Sequence, residues 1–128
     1  MTSALGNIKV VDLSRILAGP WASQMLADMG AEVIKVERPH KGDDTRFWGP
    51  PFIKTACGDQ PPQAAYFQCV NRNKKSIAID ITQQAGQQVI KDLIMQADVL
   101  IENYKVGGLA KYNLDYDSVK ALNPRLVY

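Results

Sequence analysis

Four short, β-branched apolar runs alternate with segments of helical periodicity, and this alternation constrains the possible fold more than any other feature of the chain. The runs are Ile8 to Leu13, Glu32 to Glu37, Ser76 to Ile81 and Val99 to Glu102. Strands separated by helices are typical of parallel sheets that are covered on both faces. Right-handed crossovers bring the carboxyl ends of such strands to one edge. The pattern predicts an α/β domain with a doubly wound, mainly parallel sheet and helices on both faces.

The first predicted helix runs from Trp21 to Met29, with Pro20 in its first turn and Gly30 in the left-handed position after its end. Apolar spacing predicts that Trp21, Met25 and Met29 belong to the core. A second long helix is predicted after Thr82, which would cap it. Its apolar positions are Ala85, Val89, Ile90, Leu93, Ile94 and Ala97. Shorter helices are predicted at residues 64–70, at 109–112, and from Asp115 or Asp117 to Leu122.

The last five residues, Pro124 to Tyr128, have the composition of a strand that is beginning. A strand in a parallel sheet is buried on both faces and requires neighbouring chain. We therefore expect residues 1–128 to form the N-terminal part of one larger domain, with no internal linker.

Composition narrows the function classes. The formal net charge of +2 is too small to indicate a nucleic-acid-binding protein. No apolar stretch approaches the roughly 18 residues of a membrane span, and the N-terminus lacks a secretory pattern, so a cytoplasmic protein without membrane contact is expected. Two cysteines, Cys57 and Cys69, and the single histidine, His40, predict reduced thiols and no metal site.

The segments that follow the predicted strands carry the chemistry. In open α/β sheets, ligands bind beyond the carboxyl ends of the strands. The segments there are residues 15–20, 38 onward, 80–82 and 103–107. They offer small residues, a guanidinium, an amide, a phenol and the amides of a helix start, which together suit a nucleotide. The dinucleotide fingerprint, the P-loop, the nucleophile elbow and the histidine-centred triad are all missing from the sequence.

Several charged residues have two interpretations. Arg38 is either a phosphate ligand or a solvated residue after a strand. The segment of Arg72, Lys74 and Lys75 is interpreted as an exposed basic turn rather than a phosphate clamp. Structural roles are predicted for Asp12 and Asp80 in preference to acid–base catalysis.

The segment from residue 38 to residue 63 holds five of the seven prolines and shows little periodicity. A loop of this length inside a compact domain is often functional. Its aromatic residues Trp48 and Phe52 would either cover a ligand or fix the loop.

Five segments resemble, in chain order, the motifs of the family III CoA-transferases. This group contains formyl-CoA transferase, carnitine CoA-transferase and succinyl-CoA:glutarate CoA-transferase, together with the α-methylacyl-CoA racemases. The segments are residues 11–20, 30–39, 42–51, 71–77 and 97–104, and residues 123–126 agree as well.

The resemblance implies a Rossmann-like large domain that binds coenzyme A (CoA) and belongs to an interlocked homodimer. Leu17 and Ala18 would lie against the adenosine, and Arg38 and Lys111 would contact phosphates. The remaining implied CoA-binding residues are Ile79, Asp80, Ile81, Thr82, Asn103, Tyr104 and Lys105. Formyl-CoA transferase has glutamine at the position of Leu17 and arginine at that of Lys111. Lysine keeps the charge but lacks the bidentate fork of arginine. Leucine lacks a polar group that could orient an acyl substrate, which argues against formyl-CoA and oxalate as substrates.

The resemblance also implies covalent acyl exchange through an aspartyl anhydride and an aspartyl-CoA thioester. The aspartate concerned lies beyond the strand that begins at Leu126, so no catalytic residue is assigned in residues 1–128 and this part alone is expected to be inactive. The substrates would be an acyl-CoA and a carboxylic acid, with no prosthetic group. Alternatives are a racemase-type relative, a non-catalytic CoA- or nucleotide-binding module, and a ligand-free fragment that self-associates through an open sheet edge.

Overall fold

The computed structural model describes residues 3–53 and 63–128. Its elements in chain order are β1 (Lys9–Asp12), α1 (Ala18–Asp28), β2 (Glu32–Glu37), a 3₁₀ turn (Asp44–Phe47), β3 (Phe52–Ile53), β4 (Gln63–Ala64), α2 (Ala65–Gln68), β5 (Lys74–Ala78), α3 (Gln84–Met95), β6 (Val99–Ile101), a second 3₁₀ turn (Ala110–Tyr112) and α4 (Tyr116–Val119).

The main sheet has four strands in the order β5-β2-β1-β6, and all of its neighbouring pairs are parallel. Val10 of β1 lies opposite Val33 of β2 on one side and Val99 of β6 on the other. The chain moves outward from β1 through β2 to β5 and then returns to the other side of β1. This reversal between β1 and β6 is where ligands bind in open α/β sheets. The predicted mixed α/β architecture with a mainly parallel sheet is confirmed.

Two apolar clusters cover the two faces of the sheet. Val10 and Val33 pack with Ala27 of α1 and with Ala31. On the other face, Val11 and Leu100 belong to a larger cluster with residues of α3 and α4; its other members include Ile90, Ile94, Leu114 and Val119. Because successive residues of a strand point to opposite faces, this arrangement places helices on both sides of the sheet.

The observed strands differ from the predicted ones mainly at β5, which spans Lys74–Ala78 instead of starting at Ser76. Its register begins with Lys74 opposite Val33, and the chain turns away at Asp80, whose carboxylate accepts the Thr82 N–H at 2.9 Å. At the other edge, Val127 forms a parallel bridge with Val99. The predicted strand start at the end of the chain is thus present as one paired residue.

The core face of α1 was predicted wrongly. Trp21, Met25 and Met29 are 56%, 53% and 44% exposed. The opposite face of α1 packs on the rest of the protein through polar side chains. Ser23 donates to Asp12 at 2.5 Å, and Gln24 donates to the Cys69 carbonyl at 3.0 Å. The buried residues of α1 are Pro20, Ser23, Gln24 and Ala27.

Helix α3 also differs in detail from the prediction. Thr82 does not cap it; its hydroxyl donates to Asp80 at 2.7 Å, and Gln83 is the N-cap residue. Ala85 and Val89 are exposed, and the buried positions of the helix are Ile90 and Ile94. Gly86 allows α3 to approach the turn after β5 closely, because a Cβ at this position would lie 2.1 Å from the Asp80 carbonyl oxygen. The last helix begins after Asp115 as predicted but ends at Val119 instead of Leu122.

Candidate functional site

The edge of the sheet at which β1, β2, β5 and β6 end is here called the carboxyl edge. The loops after β1 and β6 are joined there by the side chain of Asn103. Its Oδ1 accepts the Arg15 N–H at 2.8 Å, and its Nδ2 donates to the Arg15 carbonyl at 2.7 Å. A Cβ on Gly19 would lie 3.5 Å from Asn103 Cγ, so the start of α1 also packs closely against this amide. The two loops therefore form one continuous surface.

Four predicted site residues meet in a narrow cleft at the carboxyl edge. They are Arg38, Ile79, Ile81 and Tyr104, and Arg15 lines the same cleft. The space is only about 20 Å³, so it is a packed seam rather than an open cavity. Next to it, a depression of about 210 Å³ is lined by Arg15, Ile16, Asn103, Tyr104 and Lys105.

Five predicted site residues line neither of these spaces in the described part of the chain. Leu17 precedes α1 and Ala18 begins it, so both lie at the helix start. Asp80 and Thr82 bond to each other in the turn after β5. Lys111 lies farther along, with Nζ 4.7 Å from the Tyr112 ring centre. All except Lys111 nonetheless follow the carboxyl ends of strands.

Two arginines share one carboxylate beside the cleft. Arg38 Nη2 lies 2.5 Å from Asp44 Oδ1, and Arg15 Nη2 bonds to the other oxygen of Asp44. One positive charge is left over in this cluster. Arg15 Nε is a buried donor that has no hydrogen-bond partner among residues 3–53 and 63–128. Arg15 and Asp44 were not among the predicted CoA-binding residues, although Arg15 lies two residues after the predicted strand Ile8 to Leu13.

Tyr104 contributes a neutral phenol to the same surface. Burial raises its pKa, and the nearby guanidinium groups of Arg15 and Arg38 only partly oppose this effect. The hydroxyl group therefore stays protonated at neutral pH and is available as a hydrogen-bond donor.

A wider, open depression of about 300 Å³ lies on the other side of Arg38. Its cationic side chains are Arg38, Lys41 and Arg46, with His40 beside them. Arg46 is paired with Glu37 at 2.6 Å and Arg38 with Asp44 at 2.5 Å, while Lys41 has no ion pair among residues 3–53 and 63–128.

Buried charged side chains support the carboxyl edge from below. Lys35 Nζ lies 3.0 Å from Asp43 Oδ2 and donates to the Ser14 carbonyl at 2.9 Å. Burial disfavours the charged form of Asp43, but hydrogen bonds from Thr45 and the charge of Lys35 outweigh it, so the pKa of Asp43 is lowered. Burial also disfavours the charged form of Glu37, but hydrogen bonds from Arg46 and Ser76 outweigh this effect, so the pKa of Glu37 is lowered.

These lowered pKa values predict a loss of stability in acid. The ordinary values are 3.8 for Asp43 and 4.5 for Glu37, and both groups titrate lower in the folded protein. The unfolded chain therefore takes up protons first as the pH falls. The stabilisation is complete above about pH 4.5 and is lost as the pH falls through the folded-state values. Urea titrations between pH 3 and pH 6 should show this decline, and Asp43→Asn should make it shallower; an unchanged slope in the variant would contradict the assignment.

The segment from Arg72 to Lys75 was predicted to be an exposed basic turn, and for Lys74 this is wrong. Its amine is buried and lies 3.1 Å from Asp12 Oδ2, while it also donates to the Pro20 carbonyl at 2.8 Å. Arg72 and Lys75 are exposed as predicted and pair with Asp28 and Glu32. The structural role predicted for Asp12 agrees with its complete burial and four donors; these are the Ser14 N–H, the Ser14 and Ser23 hydroxyls and Lys74.

One aromatic residue of the long loop makes a contact within the described residues. Trp48 makes an edge contact with Tyr66 at 5.5 Å between ring centres, which favours the interpretation that it fixes the loop. Cys69 is an exposed free thiol, whereas Cys57 lies outside the described residues. Within residues 3–53 and 63–128, no three His, Cys, Asp or Glu side chains are grouped as a metal site. No helix in these same ranges has the length and apolar character needed to cross a bilayer.

The family of the chain follows from its sequence together with this architecture. The profile of the CoA-transferase family III matches residues 5–128. The chain therefore belongs to this family, as the motif resemblance predicted.

Particular relatives are similar over nearly the whole chain. Succinate–glutarate CoA-transferase of Agrobacterium fabrum is 56% identical over 124 residues, which are 97% of this chain and 31% of the relative. Human succinyl-CoA:glutarate CoA-transferase is 48% identical over 97% of this chain and 27% of its own length. The crystal structure of a CAIB/BAIF family protein from Brucella suis superposes with a TM-score of 0.93 at 54% identity, covering 100% of this chain and 33% of that one. The chain thus spans about a third or less of these proteins.

Proposed function

We propose that residues 1–128 form the CoA-binding part of an enzyme that transfers CoA between carboxylic acids. The observation that carries the proposal is the placement of Arg38, Tyr104 and the helix start at Ala18 along one carboxyl edge, beside the reversal between β1 and β6. This is where a Rossmann-like domain receives a nucleotide. Membership of the CoA-transferase family III makes CoA the nucleotide to test first.

Each side chain then has a physical task. Arg38 and Arg15 offer guanidinium groups to phosphate oxygens, which they can bind through paired hydrogen bonds. The free amides at the start of α1 favour negative charge. Leu17 and Ala18 provide an apolar surface for adenosine, while Ile79, Asp80, Ile81 and Thr82 border the nucleotide from β5. On the other side, Asn103, Tyr104 and Lys105 follow it, and Lys111 meets a further phosphate.

The reaction itself would use an aspartate outside residues 1–128. Its carboxylate attacks the acyl-CoA thioester, forming a mixed anhydride and releasing CoA thiolate. The thiolate then attacks the aspartyl carbonyl, expelling the donor carboxylate and leaving an aspartyl-CoA thioester. The acceptor carboxylate displaces the thiolate to give a second anhydride, and the thiolate finally takes the new acyl group. No prosthetic group enters this scheme, and residues 1–128 alone would bind CoA without turnover. The proposal includes a cytoplasmic homodimer as the working form.

Dicarboxylic acids are the substrates we propose. Relatives named succinate–glutarate and succinyl-CoA:mesaconate CoA-transferase are 56% and 41% identical to the chain.

The proposal is tested by mixing the full protein with succinyl-CoA and glutarate and following glutaryl-CoA by mass spectrometry. Formation of glutaryl-CoA with equal loss of succinyl-CoA is the expected result. Exchange of the α-proton of a 2-methylacyl-CoA in heavy water, without transfer, would point instead to a racemase. CoA binding with neither reaction would indicate a non-catalytic module, and the absence of CoA binding would contradict the proposal altogether.

Neutralising Asp44 should strengthen CoA binding. Asp44 competes with a phosphate for Arg15 and Arg38, so Asp44→Asn frees both guanidinium groups and adds one positive charge to the edge. We expect the Kd for CoA to fall about three- to tenfold at low salt, corresponding to the roughly 0.5–1.5 kcal/mol typical of a partly exposed charge interaction. The gain should shrink as salt is added. The matched control is Asp92→Asn, an exposed residue of α3, and weaker binding by Asp44→Asn would contradict the competition.

A further inference from the structure

The turn after β1 contains a residue in an unfavourable backbone conformation. Ile16 has φ +72°, in the left-handed region. For a β-branched residue this region is a genuine outlier, since its Cβ collides with the backbone. The conformation is not adopted to bury the side chain, because Ile16 remains 37% exposed. Something other than core packing must hold it.

The charged pair of Lys35 and Asp43 binds the backbone at this residue and two residues before it. The Ile16 N–H donates to Asp43 Oδ2 at 3.1 Å, and Lys35 Nζ donates to the Ser14 carbonyl at 2.9 Å. Lys35 Nζ and Asp43 Oδ2 are 3.0 Å apart, and both side chains are almost fully buried. The two residues thus fasten the turn just before and at Ile16.

Asp43 is itself fixed by residues around β2. Thr45 donates to Asp43 Oδ1 through its N–H at 3.0 Å and through its hydroxyl at 2.8 Å. The Asp43 N–H donates to Glu37 Oε2 at 2.8 Å, and Arg46 holds Glu37 with two bonds at 2.6 and 2.7 Å. The carboxylate therefore presents Oδ2 to the Ile16 N–H from a rigid support.

We propose that Asp43 is a positioning residue for CoA, acting through the backbone of Ile16. By holding Ile16 left-handed, it directs Leu17 and Ala18 toward the carboxyl edge and keeps the Arg15 backbone in register with Asn103. This inference rests on the proposed CoA site. The Asp43 side chain is only 1% exposed, so its effect on affinity is assigned to the shape of the turn and not to a contact with the ligand.

The proposal is tested with a substitution and its rescue in the full protein. In Asp43→Asn, the remaining Oδ1 can still accept the hydrogen bonds from Thr45. The NH₂ group then takes the place of Oδ2 and faces the Ile16 N–H, so that two hydrogen-bond donors are in contact. We expect the Kd for CoA, measured by calorimetry, to rise about tenfold. Adding Ile16→Gly should return the Kd to within about twofold of the original value, because glycine occupies the left-handed region without support from a side chain such as Asp43. The stability lost through the unpaired Lys35 should not return, which separates positioning from general support of the fold.

A milder variant and a control variant complete the test of Asp43. If Asp43→Asn does not fold, Thr45→Ala is the milder substitution. It should raise the Kd for CoA by less, and adding Ile16→Gly should restore the affinity in the same way. Asp117→Asn, exposed on α4, is the matched control and should leave the Kd unchanged. Normal CoA binding by folded Asp43→Asn, or a loss that Ile16→Gly does not repair, would overturn the positioning role while leaving the CoA site intact. A native protein that fails to bind CoA would instead refute the proposed function on which the role depends.

Discussion

Replacing Lys74 by methionine is expected to destabilise the protein by about 3–5 kcal/mol, the range found when one partner of a buried ion pair is removed. Lys74 Nζ lies 3.1 Å from Asp12, and the two side chains are 2% and 0% exposed. Without the amine, the carboxylate of Asp12 is left charged in the interior, with only hydroxyl and amide donors around it. The loss of the bond to the Pro20 carbonyl also frees the first turn of α1. Urea unfolding followed by tryptophan fluorescence measures the change.

The neighbouring residue provides the control for this experiment. Lys75 lies on the same strand and forms an ion pair with Glu32, but its side chain is 71% exposed. Solvent screens such a pair, so Lys75→Met should leave the unfolding midpoint nearly unchanged. Similar small losses in both variants would show that the Asp12–Lys74 pair does not support the sheet.

Replacing Arg38 by alanine is expected to weaken CoA binding by about 10- to 100-fold. Hydrogen bonds to charged groups contribute about 1.5–3 kcal/mol, and alanine removes the whole guanidinium fork. Arg38→Lys should recover only part of the affinity, because an ammonium group keeps the charge but not the bidentate geometry. Calorimetric titration gives the three Kd values at one salt concentration.

Arg72→Ala is the matched control for Arg38. Arg72 lies before β5, at the opposite edge of the sheet, and pairs with Asp28. The loss of this arginine should leave the Kd for CoA unchanged. Equal effects of the two substitutions would indicate that binding depends on overall charge and not on a site at the carboxyl edge.

The sheet was largely predictable from sequence because its signals are local. The alternation of β-branched residues defined β2 with its observed bounds, Glu32–Glu37, and Gly30 has the predicted left-handed conformation with φ +98°. The rule that ligands bind beyond strand ends also selected Arg38 and Tyr104, which line one cleft.

The errors arose where partners are distant in sequence. Ser23 and Gln24 turn inward because Asp12 and the Cys69 carbonyl accept their hydrogen bonds, so hydrophobicity alone selected the wrong face of α1. Lys74 is buried because its partner Asp12 lies 62 residues earlier in the chain. The left-handed Ile16 has no sequence signal at all, since the residue type disfavours the conformation that Asp43 stabilises.

A crystal structure of the full protein with bound CoA tests the central claim most directly. We expect phosphate oxygens within hydrogen-bond distance of the Arg38 guanidinium and adenosine against Leu17 and Ala18. Coenzyme A seated at the amino edge of the sheet, or on the exposed face of α1 around Trp21 and Met25, would contradict it.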